Sequence, residues 1–272
     1  MIKVSVLATA FRPAGLDLLF AGMRDQEFDS WELILVDHRW EKRKERVAEM
    51  AKAYLPAGVK FTHTQEHKRN GKWYCGASAF NTAFALAEGE VVVMLLDYAY
   101  CPPQWISRHW SMHQEGIKRL VVAPHAYTYL PKGKLAIAPE HIDEAWFRPE
   151  EHPELQPEER FEAENRGRYC WDEDKFLKGD IIDEISLFTE PFTPSWMSWL
   201  KVREAPYNDP KLIMPSGPVG GEFFHAKNES FLLETILDMN GVPEMVDRGK
   251  GPWDTLLGHM FAKAGCQIWL DN

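Results

Sequence analysis

The chain has 272 residues, enough to bury a substantial core as one large domain or two small ones. Hydrophobic residues make up 45% and charged residues 26%, ordinary values for a globular protein, and no run approaches the ~18 consecutive apolar residues of a membrane helix. A net charge of −10 argues against nucleic acid or acidic membrane as a general partner.

The N-terminus opens directly into MIKVSVLATAF, without a basic leader or a small-residue cleavage site, so the cytoplasm is the expected location. KVSVLATA (3–10) is β-branched and apolar and predicts a strand. After the Arg12-Pro13-Ala14-Gly15 turn, Leu16, Leu19, Phe20 and Met23 recur at helical spacing. WELILVD (31–37) predicts a second strand ending at Asp37. A charged amphipathic helix follows over 41–55, then a short strand VKFTHT (59–64). The basic loop EHKRNGKWYCG leads into an Ala-rich helix closed by Gly89, and VVVMLLD (91–97) predicts a fourth strand.

Four strands joined by helices in this order imply an α/β fold with a doubly wound, mostly parallel sheet. Ligands bind such sheets beyond the carboxyl ends of the strands, where Asp37 and Asp97 both fall. Neither G-x-G-x-x-G nor G-x-x-x-x-G-K-[ST] follows the first strand, against a dinucleotide-dependent dehydrogenase and a P-loop NTPase.

Beyond about residue 120 the pattern changes. Residues 140–190 hold 17 Asp/Glu against 6 Lys/Arg, while the rest of the chain is near neutral. Trp146, Trp171, Trp196 and Trp199 make the stretch from Ala138 to Pro210 too aromatic for a solvated linker, so it is expected to be an insertion over the sheet. Helical periodicity returns at ESFLLETILDMNG (229–241) and DTLLGHMFAKAG (254–265), before a final strand CQIWL. Cys75, Cys101, Cys170 and Cys266 lack a C-x-x-C pair and are expected to be reduced thiols. The division expected within one domain is 1–119, 120–215 and 216–272.

Four blocks carry a resemblance to a known family. VSVLATAFRP resembles a first strand and its Arg-Pro turn, keeping Thr9, Arg12 and Pro13. LFAGMRDQEFDSWELILVD resembles a helix, turn and second strand, with Gln26 and Asp37 in place. GASAFNTAFALAEGEVVVMLLD keeps Ala79, Asn81, Ala87, Gly89 and Glu90, and GGEFFHAKNESFLLETILDMNGVPE with WDTLLGHMFAKAG resembles the acceptor-side helices. The chain thus resembles the family 2 glycosyltransferases, which are inverting enzymes with the GT-A nucleotide-sugar-binding fold; 138–210 has no counterpart. It departs from them at the metal-binding D-x-D, which falls on Leu96-Asp97-Tyr98 or Asp97-Tyr98-Ala99 with one acid only. His38 replaces the second Asp of the family's Val-Asp-Asp turn, and Trp253 replaces the Glu before Asp254.

The resemblance implies transfer of a sugar from a nucleoside diphosphate sugar, a UDP-sugar by preference, to a glycan or other hydroxyl acceptor. Such transfer needs a stabilised leaving diphosphate, a general base and an oriented donor. Asp254 aligns with the general base, although an Asp before an apolar helical run is also a good helix cap. Thr9 and Asp37 are the expected contacts to base and ribose, joined by Arg12 and Tyr98 as nucleotide-sugar contacts. Either Mn²⁺ or Mg²⁺ is held by Asp97 with another group such as His259, or Lys68, Arg69 and Lys72 replace the ion, with Arg248 and Lys250 a second source of positive charge. The tryptophans are either an acceptor surface or a satellite core. Two rival functions share the sheet: a non-catalytic nucleotide- or glycan-binding protein, and a sugar-phosphate nucleotidyltransferase, whose Gly-rich first loop ATAFRPAG does not supply.

Overall fold

The computed structural model describes residues 1–10, 16–67, 76–97, 99, 101–123, 217–221, 224, 226, 228–245 and 253–271. Its strands are β1 (Val4–Ala10), β2 (Trp31–Asp37), β3 (Lys60–Thr64), β4 (Val91–Leu96), β5 (Arg119–Val122), β6 (Gly217–Pro218), β7 (Asn228–Leu232) and β8 (Gln267–Leu270). The helices are α1 (Leu16–Arg24), α2 (Trp40–Tyr54), α3 (Gly76–Leu86), α4 (Trp105–Ser111), α5 (Leu233–Asp238) and α6 (Trp253–Lys263). The strands form one sheet in the order β3-β2-β1-β4-β7-β5-β8-β6. β3, β2, β1 and β4 are mutually parallel, β7 runs antiparallel to β4 and β5, and β8 is parallel to β5.

Strand periodicity divides the core between the two faces. Val4, Val6 and Ala8 of β1 point to the face covered by Leu19 and Phe20 of α1, Val47 and Met50 of α2, and Trp105 of α4. Leu7 points to the other, where Phe80 and Phe84 of α3, Ile236 of α5 and Phe261 of α6 pack. The two clusters confirm the doubly wound α/β architecture expected from the first hundred residues. Gly89 turns into β4 where a Cβ would stand 2.5 Å from the Ser5 backbone nitrogen, so a side chain there would push β4 off β1.

Three details differ from the sequence reading. The helix expected over 229–241 starts as strand β7, buried from Asn228 to Phe231, and becomes helical only at Leu233. Its helical period is real, but backbone pairing to β4 and β5 on either side decides the first four residues. The short helix α4 and strand β5 were not foreseen, and the expected division after residue 119 falls inside β5. Most of 120–215, with the four tryptophans, lies outside the described residues. No helix among the described residues is long and apolar enough to cross a membrane.

Candidate functional site at the carboxyl edge of the sheet

From β1 the chain winds outward to β2 and β3, then returns to place β4 on the other side of β1. In sheets wound this way ligands bind beyond the carboxyl ends of the strands at the reversal, here those of β1 and β4. Thr9 is level with Val36 of β2 and Leu96 of β4, and Ala10 with Asp37, so Thr9, Asp37 and Asp97 share one edge. Strand spacing of about 4.8 Å puts the β2 and β4 tips about 10 Å apart, with β1 between them. Thr9 is 2% and Asp97 1% exposed.

Asp37 has no exposed surface. Its Oδ2 accepts Arg43 Nε at 2.7 Å and lies 3.0 Å from His63 Nε2. Its Oδ1 accepts Arg43 Nη2 and the Arg39 backbone N–H, both at 2.8 Å. Burial alone would raise its pKa; the Arg43 charge and the bonds from His63, Arg43 and Arg39 outweigh it and hold the carboxyl well below the usual carboxylate range. Two bonds to each oxygen occupy a carboxylate's acceptor sites. Asp37 therefore stands at the expected edge with its acceptor capacity spent inside the protein.

Arg43 escaped the sequence reading because the helix EKRKER looks solvated. Its signal was position: Arg43, Val47 and Met50 fall at i, i+4 and i+7, the buried stripe of α2. His63 was legible in the same way, since it shares a strand face with Phe61 and their rings lie nearly parallel.

Beside this network, His38 Nδ1 lies 2.7 Å from Glu66 Oε1, joining the residue after β2 to the chain beyond β3. The His38 backbone N–H donates to Ala10 O at 2.8 Å. His67 then lies 2.8 Å from Thr82 Oγ1 of α3 through Nδ1 and 3.0 Å from Glu244 Oε1 through Nε2. Asn81 donates to Glu244 Oε1 and Val242 O and accepts the Val242 N–H, holding α3 against the 241–245 loop. The root of the basic loop is thus tied to three elements. Lys68, Arg69 and Lys72 themselves lie outside the described residues, as do Arg12, Tyr98, Arg248 and Lys250.

Asp97 lies in the turn after β4, where Ala99 N–H donates to Leu96 O at 3.2 Å. The chain beyond is bolted to α1 by Gln26: its Nε2 donates to Gly22 O and Pro102 O at 2.8 Å, and its Oε1 accepts Ile106 N–H at 3.0 Å. Among the described residues no three His, Cys, Asp or Glu side chains gather as metal ligands. His259 is exposed on α6, about 140° around the helix from Asp254, and joins no such group. A hard divalent ion seeks several oxygen ligands, and among the described residues Asp97 belongs to no such group of side chains.

Asp254 is partly buried in the first turn of α6, where its Oδ1 accepts the Thr255 N–H at 2.8 Å. Trp253 packs on Phe80 of α3 with ring centroids 5.4 Å apart, and Gly258 meets Gly221 so closely that a Cβ on either would strike the other's backbone. The start of α6 is therefore seated on the helix that covers β1 and β2.

A further cluster lies under α4. Trp105 Nε1 can only donate, so Asn228 Oδ1 accepts it at 2.7 Å and also accepts His109 Nε2 at 3.0 Å. His109 Nδ1 is left to accept the Ser230 hydroxyl, whose oxygen accepts His113 Nε2, both at 2.8 Å. Burial pulls His109 down to about 4, and burial with the His109 and Arg119 charges pulls His113 to about 3. This chain of neutral side chains fixes α4 to β7. Of the four cysteines, Cys101 and Cys266 are among the described residues, and both are buried free thiols.

Neither a protein-family model nor a curated protein matches the sequence. Solved structures of S. aureus TarS do match in fold. TarS 1–349 superposes over 99% of this chain with a TM-score of 0.54 at 12% identity. The same protein in complex with UDP, and in complex with UDP-GlcNAc, gives 0.52 at 12% identity. The chain spans 58% of the TarS 1–349 chain and 35% of the longer TarS chain. At this identity the likeness establishes a shared fold, and the protein has the mostly parallel α/β fold of TarS.

Proposed function

We propose that the protein is an inverting glycosyltransferase that moves a sugar from a UDP-sugar to a hydroxyl acceptor. The observation that carries this reading is the convergence of Thr9, Asp37 and Asp97 on the edge where the winding of the sheet reverses. The fold shared with TarS, solved with UDP and UDP-GlcNAc, supports the choice of donor.

In this reading Asp254 removes the acceptor proton as the hydroxyl oxygen bonds to the anomeric carbon. The bond from that carbon to the diphosphate breaks, and the electron pair leaves with UDP. Asp254 stands in the first turn of α6. A divalent ion would supply charge neutralisation on the diphosphate. Because Asp97 alone is a poor donor set for one, that task is given to Lys68, Arg69 and Lys72. The acceptor is assigned to the side of the Trp-bearing segment.

The test is transfer from a panel of UDP-, GDP- and TDP-sugars, with and without Mn²⁺ and with chelator. Asp254→Asn is expected to lower kcat about 100- to 10,000-fold while UDP still binds. Unchanged turnover in that variant would remove the base assignment. The single acid at the D-x-D position favours one rival, a non-catalytic nucleotide- or glycan-binding protein; it would show UDP binding without transfer to any acceptor tried.

A further inference from the structure

We propose that His109, Ser230 and His113 form an acid-sensitive latch. With both imidazoles neutral it holds α4 on β7 and so sets the chain after Asp97 for the donor; proton uptake loosens that hold and weakens donor binding. This inference rests on the UDP-sugar reading above.

The first ground is the direction of the hydrogen bonds. Trp105 Nε1 and His109 Nε2 both donate to Asn228 Oδ1, so His109 Nδ1 is the nitrogen that accepts the Ser230 hydroxyl. The Ser230 oxygen accepts His113 Nε2 at 2.8 Å, which makes Nδ1 the acceptor nitrogen of that ring. This atom is buried with no hydrogen-bond partner among the described residues. A proton added at His109 Nδ1 turns it into a donor and strips the Ser230 hydroxyl of its acceptor. One added at His113 Nδ1 places a buried charge where nothing receives it.

The second ground is the surroundings. His109 is 2% and His113 6% exposed, and neither pairs with a carboxylate among the described residues. β7 faces them with the neutral Asn228 and Ser230, and Val93 and Leu95 of β4, in the core cluster that holds Trp105, are apolar. The α1 side brings the neutral Gln26 and Glu27, whose carboxylate accepts Gln104 Nε2 at 2.8 Å. Arg119 of β5, bound to Glu115, opposes a charge on His113, as does a charged His109. On His109, Asp271 favours the charge and its partner Arg108 opposes it. Burial outweighs these and holds the folded values at about 4 and about 3, below the ordinary 6.5. Between about pH 6.5 and 4 the loosened state therefore binds more protons and is favoured as pH falls.

The third ground is what the latch holds. Asn228 is level with Leu95 of β4, close to Asp97. Trp105 opens α4, and its backbone N–H donates to Pro102 O at 3.0 Å. Cys101 and Trp105 share a core cluster with Leu95. The chain from Asp97 to Gln104 is thus supported from β7 through the latch and from α1 through Gln26. Loosening α4 removes the β7 support from the strand tip assigned to the donor diphosphate.

Calorimetric titration of UDP into the full chain at about pH 7.5 and about pH 5 tests this, for wild type, His109→Gln and His113→Gln. Melting temperatures are taken at both pH values, and the titration of UDP itself, common to all three proteins, cancels in their comparison. Between the two pH values wild type should lose about tenfold more affinity than either variant, since each variant lacks a proton-binding group. His113→Gln keeps an N–H for Ser230 and guards against a misfolded His109 variant. In the unliganded wild type, amide protection should fall over 105–113 at the lower pH while 80–86 of α3 keeps it. Folded variants with the wild-type pH loss would overturn the proposal, as the mark of a purely structural role. Protection that falls equally in both helices would overturn it too, as the mark of global unfolding. If the unaltered protein binds no UDP at either pH, the UDP-sugar reading falls and the donor half of the proposal with it, while exchange over 105–113 still decides the latch.

Discussion

β2 carries a fully buried carboxylate near each end, and the two are neutralised in different ways. Near the amino edge, Glu32 accepts the Ser5 hydroxyl and the Glu88 N–H, both at 2.7 Å, and Lys60 Nζ stands 3.1 Å away. At the carboxyl edge, Asp37 holds a buried guanidinium by two bonds and an imidazole by a third. Glu32 relies on neutral donors and a lysine that is 41% exposed, so water can share its work. Asp37 relies on a cation sealed in with it. The amino edge is thereby a set of loop ties, including Gly89 N–H to Ser5 Oγ at 2.8 Å, while the carboxyl edge carries a buried charged network where the winding of the sheet reverses. That difference separates scaffold from site more sharply than the presence of an acid does.

The strongest way to break the contrast is to remove the sealed cation. Arg43→Ala leaves the Asp37 carboxylate buried without its charge partner and should cost about 3–5 kcal/mol in urea unfolding. Glu32→Gln, which keeps an acceptor for Ser5, should cost only about 1 kcal/mol. Equal losses in the two variants would erase the distinction.

Acid should act through a different region. His109 and His113 are held neutral under α4, with their folded pKa values below the ordinary 6.5. The unfolded chain therefore binds more protons between about pH 6.5 and 4, and stability falls as pH falls through that window. For His109 alone the loss is about 3 kcal/mol at pH 4, readable from urea midpoints at successive pH values. A flat profile from pH 6.5 to 4 would contradict the relay through Ser230.

A slightly smaller effect is expected at the amino edge. Gly89→Ala should cost about 2–3 kcal/mol, since its Cβ meets backbone atoms of Val4 and Ser5 that cannot rotate away. A melting temperature equal to wild type would show that β4 can shift without penalty.

The sequence made the first half of the sheet legible because each strand there is followed locally by the helix that covers it. β7 was obscured because ESFLLETIL has helical periodicity, whereas its strand state comes from β4 and β5, more than 100 residues earlier in the chain. Asp37 and Asp97 could be placed at one edge by strand ends alone. What could not be read was which acid is already spent: the Asp37–Arg43 pair joins a strand tip to the buried stripe of a helix that looks solvated by composition. Charge type is visible in a sequence, but its partner is set by packing.

The central claim is that the carboxyl edge receives a nucleoside diphosphate and the amino edge does not. Amide hydrogen exchange of the full chain with and without saturating UDP tests it most directly. Slowed exchange is predicted at residues 9–10, 37–39, 64–67 and 96–97, with no change at 1–3, 30–32 and 88–91. Protection at the amino edge, or none at either edge, would contradict the account.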